Sequence, residues 1–239
     1  MSNSIPATAQ KPTSTVSARK VYLTTYNLIF AALWTSVFVK AISNASSSKS
    51  RLFSATEAPA RWIQTASLIE VVHSATGLIK SPVSTTALQV VTRVIQVWMV
   101  WYSFPSSTAD SHAYLALLLA WSVADTIRYA YLAANLWGKA GRGLVWLRYV
   151  PSQQSRQIPS LTVYARYTMF YPLYPIGIGA EWWLLYRAIE PAGKINAALP
   201  PFFWFCLMLY IPGKLILATK GSQKLTWWYR LVQNVHVYD

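Results

Sequence analysis

Val21-Tyr22-Leu23-Thr24-Thr25-Tyr26-Asn27-Leu28-Ile29-Phe30-Ala31-Ala32-Leu33-Trp34-Thr35-Ser36-Val37-Phe38-Val39 contains no charged side chain and stops at Lys40. A helix rising about 1.5 Å per residue needs about 20 mostly apolar residues to cross about 30 Å of hydrocarbon, so this stretch is long enough to span a membrane. Composition agrees with that assignment. Of the 239 residues, 54% are hydrophobic and 12% are charged, whereas a soluble domain usually carries about 25% charged residues.

Upstream, residues 1–20 are rich in Ser, Thr, Ala and Pro and carry Lys11, Arg19 and Lys20 without an acidic residue, which predicts a disordered tail. It has no apolar signal-peptide core, and Pro6 and Pro12 interrupt the amphipathic helix that a transit peptide needs. Downstream, Ser43–Ser54 reads as an exposed polar loop. Further spans are expected over Ala60–Ile79, Val83–Phe104, His112–Leu136, Leu161–Tyr186 and Ala197–Leu217. Lys80, Ser81 and Pro82 form a turn between two of them, and Pro105–Asp110 forms a loop. Gly138, Lys139, Gly141 and Arg142 carry helix-ending chemistry after the fourth. The fold class is therefore all-α, a multi-pass membrane helix bundle with six transmembrane helices over 21–220. In the tail, 221–239, Trp227, Trp228, Tyr229 and Arg230 suit an interfacial anchor.

Twenty-one Lys and Arg against seven Asp and Glu give a net charge of +14, which in this composition points to basic loops facing an anionic leaflet rather than to nucleic acid. With six spans, one side collects eleven cations: Lys11, Arg19, Lys20, Lys80, Lys139, Arg142, Arg148, Arg156, Lys220, Lys224 and Arg230. The other collects six: Lys40, Lys49, Arg51, Arg61, Arg187 and Lys194. Both termini are then expected to be cytosolic. One cysteine, Cys206, excludes an intrachain disulfide and any cysteine-rich metal cluster. His73, His112 and His236 are too few for a histidine-box di-iron enzyme.

An ionisable residue at bilayer depth costs at least about 2.5 to 3.5 kcal/mol unless it is paired or solvated, which makes each one a candidate for function. Glu70 and His73 are three residues apart on one helical face, and Asp125 and Arg128 repeat that spacing. The spacing predicts an intrahelical Asp125–Arg128 ion pair. Glu70-x-x-His73 matches the spacing of di-metal helical bundles, but those require a second copy and further carboxylates, so no metal is expected.

The fifth span reads Arg166-Tyr167-Thr168-Met169-Phe170-Tyr171-Pro172-Leu173-Tyr174-Pro175-Ile176-Gly177-Ile178-Gly179-Ala180-Glu181. Seven residues at about 100° each return Glu181 to within about 20° of Tyr174, so the two share a face with Cα atoms about 10.5 Å apart. Pro175 and the glycines loosen the helix, which membranes tolerate mainly where backbone lines an enclosed cavity. The residues alone leave two possibilities, a phenol and a carboxyl lining one cavity, or a kinked packing helix with a belt of tyrosines. Cys206 is followed six residues later by Pro212, where a cysteine phosphatase would hold arginine, so the bidentate phosphate clamp is missing.

Arg166 to Glu181 resembles the signature of the membrane 3-hydroxyacyl-CoA dehydratases, also known as protein-tyrosine-phosphatase-like proteins. Leu68-Ile69-Glu70 with His73, Gly77 and Ser81 is similar to the second-span pattern of that family, Gln89-Val90 with Arg93 to its third, and Trp121-Ser122 with Ile127-Arg128-Tyr129 to its fourth. The likeness covers about Val21 to Lys224. It implies a six-span enzyme of the endoplasmic reticulum membrane that dehydrates 3-hydroxyacyl-CoA to trans-2-enoyl-CoA, the third step of very-long-chain fatty acid elongation, without a cofactor. Its catalytic pair maps onto Tyr174 and Glu181, supported by Glu70, His73, Arg93, Arg128 and Tyr167. The implied partners are the acyl-CoA substrate, membrane lipid, and the condensing enzyme, ketoacyl reductase and enoyl reductase of elongation. Two departures stand out: Asp125 occupies the place of the family's Glu, and Val235-His236-Val237-Tyr238-Asp239 has no dilysine signal.

Removing water from a β-hydroxy thioester needs a base for the α-proton and an acid for the leaving hydroxyl. Glu181 suits the first and Tyr174 the second, and the reverse division stays open. Lys139, Arg142, Arg148 and Arg156, in the longest basic loop, are candidates for the CoA phosphates. If the cytosolic edge lies near Arg166, Tyr174 is about 12 Å deeper, within reach of a pantetheine arm. Two other classes fit the same residues: a catalytically silent scaffold of a lipid-synthesis complex, and a small transporter using Glu181 or Asp125 for proton coupling.

Overall fold

The computed structural model describes residues 17–141, 143–144 and 170–209, apart from the side chains of residues 170–172, 174 and 209. All regular structure among them is helical. Helix α1 (Ala18–Asn44) buries Leu23, Asn27, Phe30, Trp34, Val37 and Ala41, a stripe at the alternating four- and three-residue spacing of one helical face. Its opposite face exposes Leu28, Ile29, Val39 and Ile42. A helix apolar on both faces belongs in hydrocarbon rather than on a soluble surface. Thr24, Asn27 and Thr35 donate to the carbonyls of Lys20, Leu23 and Ala31, one turn back, so these side chains have partners without water. The helix starts at Ala18 and takes in Arg19 and Lys20, which the sequence reading left in the tail.

Helix α2 (Lys49–Ala66) departs furthest from expectation, beginning inside the anticipated loop and eleven residues before the anticipated span. Ser48 caps it by accepting from the Arg51 amide at 3.3 Å. The polar sequence remains helical because Arg61 Nε donates to Glu57 Oε1 at 2.6 Å, one turn apart. The Arg61 guanidinium also lies 4.5 Å from the Trp98 ring and 4.4 Å from the Tyr102 ring. At Ser67 the helix breaks, and the short α3 (Ile69–Ala75) follows. Gly77 turns the chain at φ 70°, a left-handed conformation suited to glycine.

After Pro82, α4 (Val83–Ile95) runs into a π-helical turn over Gln96–Tyr102 that puts Val97, Val100 and Trp101 in the core. The anticipated loop at Pro105 is a one-turn helix, α5 (Pro105–Ala109), with proline in its first turn, where its missing N–H costs no helical bond. Helix α6 (His112–Asn135) packs against α1 on one side and α7 (Phe170–Ile195) on another. Arg187 and Lys194, expected between the fifth and sixth spans, continue α7, with Lys194 paired to Glu190 at 3.0 Å. The last described helix, α8 (Leu199–Leu209), packs on α7 and buries Phe203 and Leu207.

Among the described residues, three helical stretches are long and apolar enough to cross a membrane: Ala18–Asn44, Val83–Tyr102 and His112–Asn135. Leu199–Met208 is apolar but shorter.

The α6–α7 contact depends on small residues. A methyl placed on buried Gly177 would meet the Ala120 methyl at 3.7 Å, an ordinary van der Waals contact. Gly177→Ala is therefore expected to be tolerated. Gly177→Leu should destabilise the bundle by about 1 to 3 kcal/mol through overpacking, read as a lower thermal unfolding midpoint in detergent.

Candidate active site

Four ionisable residues from three helices form one connected set. Arg93, near the end of α4, donates from Nη1 to Asp125 Oδ2 on α6 at 2.5 Å. Arg128 Nη1, one turn further along α6, lies 3.7 Å from Asp125 Oδ1. Arg128 Nη2 donates to Glu70 Oε2 on α3, and the Tyr129 hydroxyl donates to the other Glu70 oxygen. The Asp125 and Glu70 side chains are only 4% and 6% exposed. A buried carboxylate without partners would cost several kcal/mol, so this pairing is required wherever these charges are retained.

The partners differ from those expected along single helices. The intrahelical Asp125–Arg128 pair is present but loose, and each residue has a tighter partner on another helix. A short aspartate cannot reach fully along its own helix to a guanidinium whose long stem is drawn toward α3. His73 likewise finds its hydrogen-bond partner on another helix: its Nε2 is 2.8 Å from the Tyr22 hydroxyl of α1, and its ring meets Tyr26 edge-on at 4.9 Å.

Trp121 connects this set to Glu181. Its Nε1 donates to Glu181 Oε1 at 2.7 Å. The Arg93 guanidinium lies 4.8 Å from the Trp121 ring centre, and Arg93 also interacts electrostatically with Glu181. The Trp101 ring packs on Trp121 at 5.3 Å with 30° between planes. The local cause is the close approach at Gly177 and Ala120. Glu181 is one turn after Gly177 and Trp121 is next to Ala120, so that approach brings carboxylate and indole together. Half-buried Glu181 thus adjoins the Arg93–Asp125–Arg128–Glu70 chain.

Tyr174 lies on the same helix, two turns before Glu181, with its side chain outside the described residues. Tyr167, Arg142, Arg148 and Arg156 also lie outside the described residues. Lys139 is exposed in the turn after α6, where Gly138 adopts φ 64°. Sequence reasoning used Trp121 only as part of a family pattern and did not see its bond to Glu181. The available signal was spacing, since residues 121, 125 and 128 fall on one helical face. Among the described residues, no group of three or more His, Cys, Asp or Glu side chains is placed to hold a metal ion.

The family model described as Protein tyrosine phosphatase-like protein, PTPLA, matches residues 64–151 and 149–223, which include Glu70, Arg93, Trp121, Asp125, Arg128, Tyr174 and Glu181. The chain belongs to the PTPLA family. Within that family it is similar to the probable very-long-chain (3R)-3-hydroxyacyl-CoA dehydratase of Schizosaccharomyces pombe, 35% identical over 201 residues covering 83% of this chain and 88% of the relative. It is 31% identical over 211 residues to the very-long-chain (3R)-3-hydroxyacyl-CoA dehydratase hpo-8 of Caenorhabditis elegans, covering 81% of this chain and 88% of the relative. The very-long-chain (3R)-3-hydroxyacyl-CoA dehydratase PASTICCINO 2 of Arabidopsis thaliana is 32% identical over 210 residues, covering 82% of this chain and 86% of the relative. No solved structure matches the chain.

Asp125 joins two arginines, so Asp125→Ala leaves both without it and should lower stability by about 3 kcal/mol, measured by denaturant unfolding in detergent. Adding Arg93→Leu to that variant should recover part of the loss, because one of the uncompensated charges is then gone.

Proposed function

We propose that this PTPLA protein is a very-long-chain (3R)-3-hydroxyacyl-CoA dehydratase, a hydro-lyase that forms trans-2-enoyl-CoA in the third step of fatty acid elongation. The observation that carries the proposal is the position of Glu181: half-buried, oriented by Trp121, and joined through Arg93 to a buried ionic chain inside an apolar bundle. The names of its relatives support the substrate class.

Glu181 takes the proton from the carbon next to the thioester carbonyl. The electron pair released forms the carbon–carbon double bond, and the C–O bond at the β-carbon breaks. Tyr174 supplies the proton that lets the hydroxyl leave as water. The carboxylate now holds the substrate's α-proton and the phenol's proton has left in water, so a proton passed from Glu181 to Tyr174 resets the enzyme without a redox step. Arg93, supported by Asp125, sits beside Glu181 to steady charge developing on the thioester carbonyl, with Arg128, Glu70 and His73 behind it and Tyr167 as a further supporting residue. Lys139, Arg142, Arg148 and Arg156 take the CoA phosphates at the cytosolic edge, and the acyl tail continues between the helices. Six helices cross the endoplasmic reticulum membrane with both termini cytosolic, and the product passes to the enoyl reductase of elongation.

Purified protein in detergent should dehydrate a long-chain (3R)-3-hydroxyacyl-CoA. Tyr174→Phe and Glu181→Gln should each lower kcat by about 10²- to 10⁴-fold while remaining folded. A folded wild-type protein without turnover across several chain lengths would sink the proposal. Topology is checked by cysteine labelling in a Cys206→Ser background. A membrane-impermeant maleimide applied from the cytosol should label Lys139→Cys in sealed microsomes and Ser46→Cys only after permeabilisation.

A further inference from the structure

We infer that Trp121 is a positioning residue for the Glu181 carboxylate: its indole N–H fixes one carboxylate oxygen and thereby sets the direction in which the base meets the substrate. The inference rests on the dehydratase proposal and deepens it. Nε1 and Glu181 Oε1 are 2.7 Å apart, and Trp121 is 3% exposed. Its ring is itself held, with the Arg93 guanidinium 4.8 Å from its centre and the Trp101 ring at 5.3 Å. Arg93 is in turn fixed by Asp125 at 2.5 Å. A donor on a ring packed by two neighbours restrains a carboxylate more tightly than one on a flexible chain, because little rotamer freedom remains to be lost. The chemistry of the donor also suits the task. Indole N–H donates and does not accept, so it orients the base without competing for the proton that the base removes. Proton abstraction from carbon depends steeply on approach geometry, and small misplacements of a catalytic group can cost about 10²-fold.

The test compares Trp121→Phe, which keeps an aromatic ring without the donor, with Trp121→His, which keeps a ring N–H. Trp204→Phe, on an exposed face of α8, serves as control. In Trp121→Phe, kcat should fall about 10- to 100-fold with KM within about twofold of wild type. Trp121→His should retain more kcat than Trp121→Phe, and Trp204→Phe should match wild type. Independently of turnover, the ¹⁵N-indole resonance of Trp121 in nanodiscs should move upfield in Glu181→Ala, as its charged acceptor is lost. Wild-type kcat in Trp121→Phe, an effect on KM alone, equal losses in the Phe and His variants, or an unmoved indole resonance would each overturn the inference. If Trp121→Phe does not fold, Trp121→His and the resonance shift decide it. Failure of the dehydratase proposal has a separate signature, namely no turnover by wild type.

Discussion

Asp125 accepts from Arg93 at 2.5 Å and lies 3.7 Å from Arg128, and those two guanidiniums carry its charge to helices α4 and α3. In a bundle whose outer faces are apolar, such a carboxylate has few alternatives to these partners. Water is scarce at that depth, and an isolated charge is expensive there. The constraint reaches beyond one pair because each arginine has a second obligation, Arg93 to the Trp121 ring and Arg128 to Glu70. Moving any one of α3, α4 or α6 would break a contact that the others require.

The same requirement explains where polar side chains appear elsewhere. Glu57 and Arg61 satisfy each other within one turn of α2, and Trp98 and Tyr102 lie against the guanidinium. Thr24, Asn27 and Thr35 return to their own helix backbone. Apolar packing contributes little specificity in lipid, since lipid tails are as apolar as leucine. Close approach of small residues and satisfaction of polar groups must supply it. Gly177 against Ala120 provides the first and the Arg93–Asp125–Arg128–Glu70 chain the second.

These two devices meet at Glu181. The small-residue contact sets how near α7 comes to α6, and the ionic chain fixes Arg93 against the indole that bonds the carboxylate. A cluster of this kind need not use loops for precision. Its groups stand on helices whose spacing is already determined by packing and charge.

Local sequence was enough for the helical class, the membrane composition, the first span to within a few residues, and the residues worth watching. Charge inside an apolar run and a seven-residue separation on one helix are local facts. Polar composition misled the sequence reading at Lys49–Ser54, which is the first part of a helix whose Glu57 and Arg61 pair one turn apart, and at Pro105, where a proline-led turn is helical. Which side chains pair was settled by the packing of one helix on another. Asp125 takes Arg93 in preference to its own neighbour Arg128, His73 takes Tyr22, and Glu181 takes Trp121. The physical reason is that helical periodicity fixes which side chains share a face, while hydrogen-bond partners depend on how closely a second helix approaches that face. At Gly177 and Ala120 two small residues on separate helices come close together, an approach that no one-dimensional pattern records.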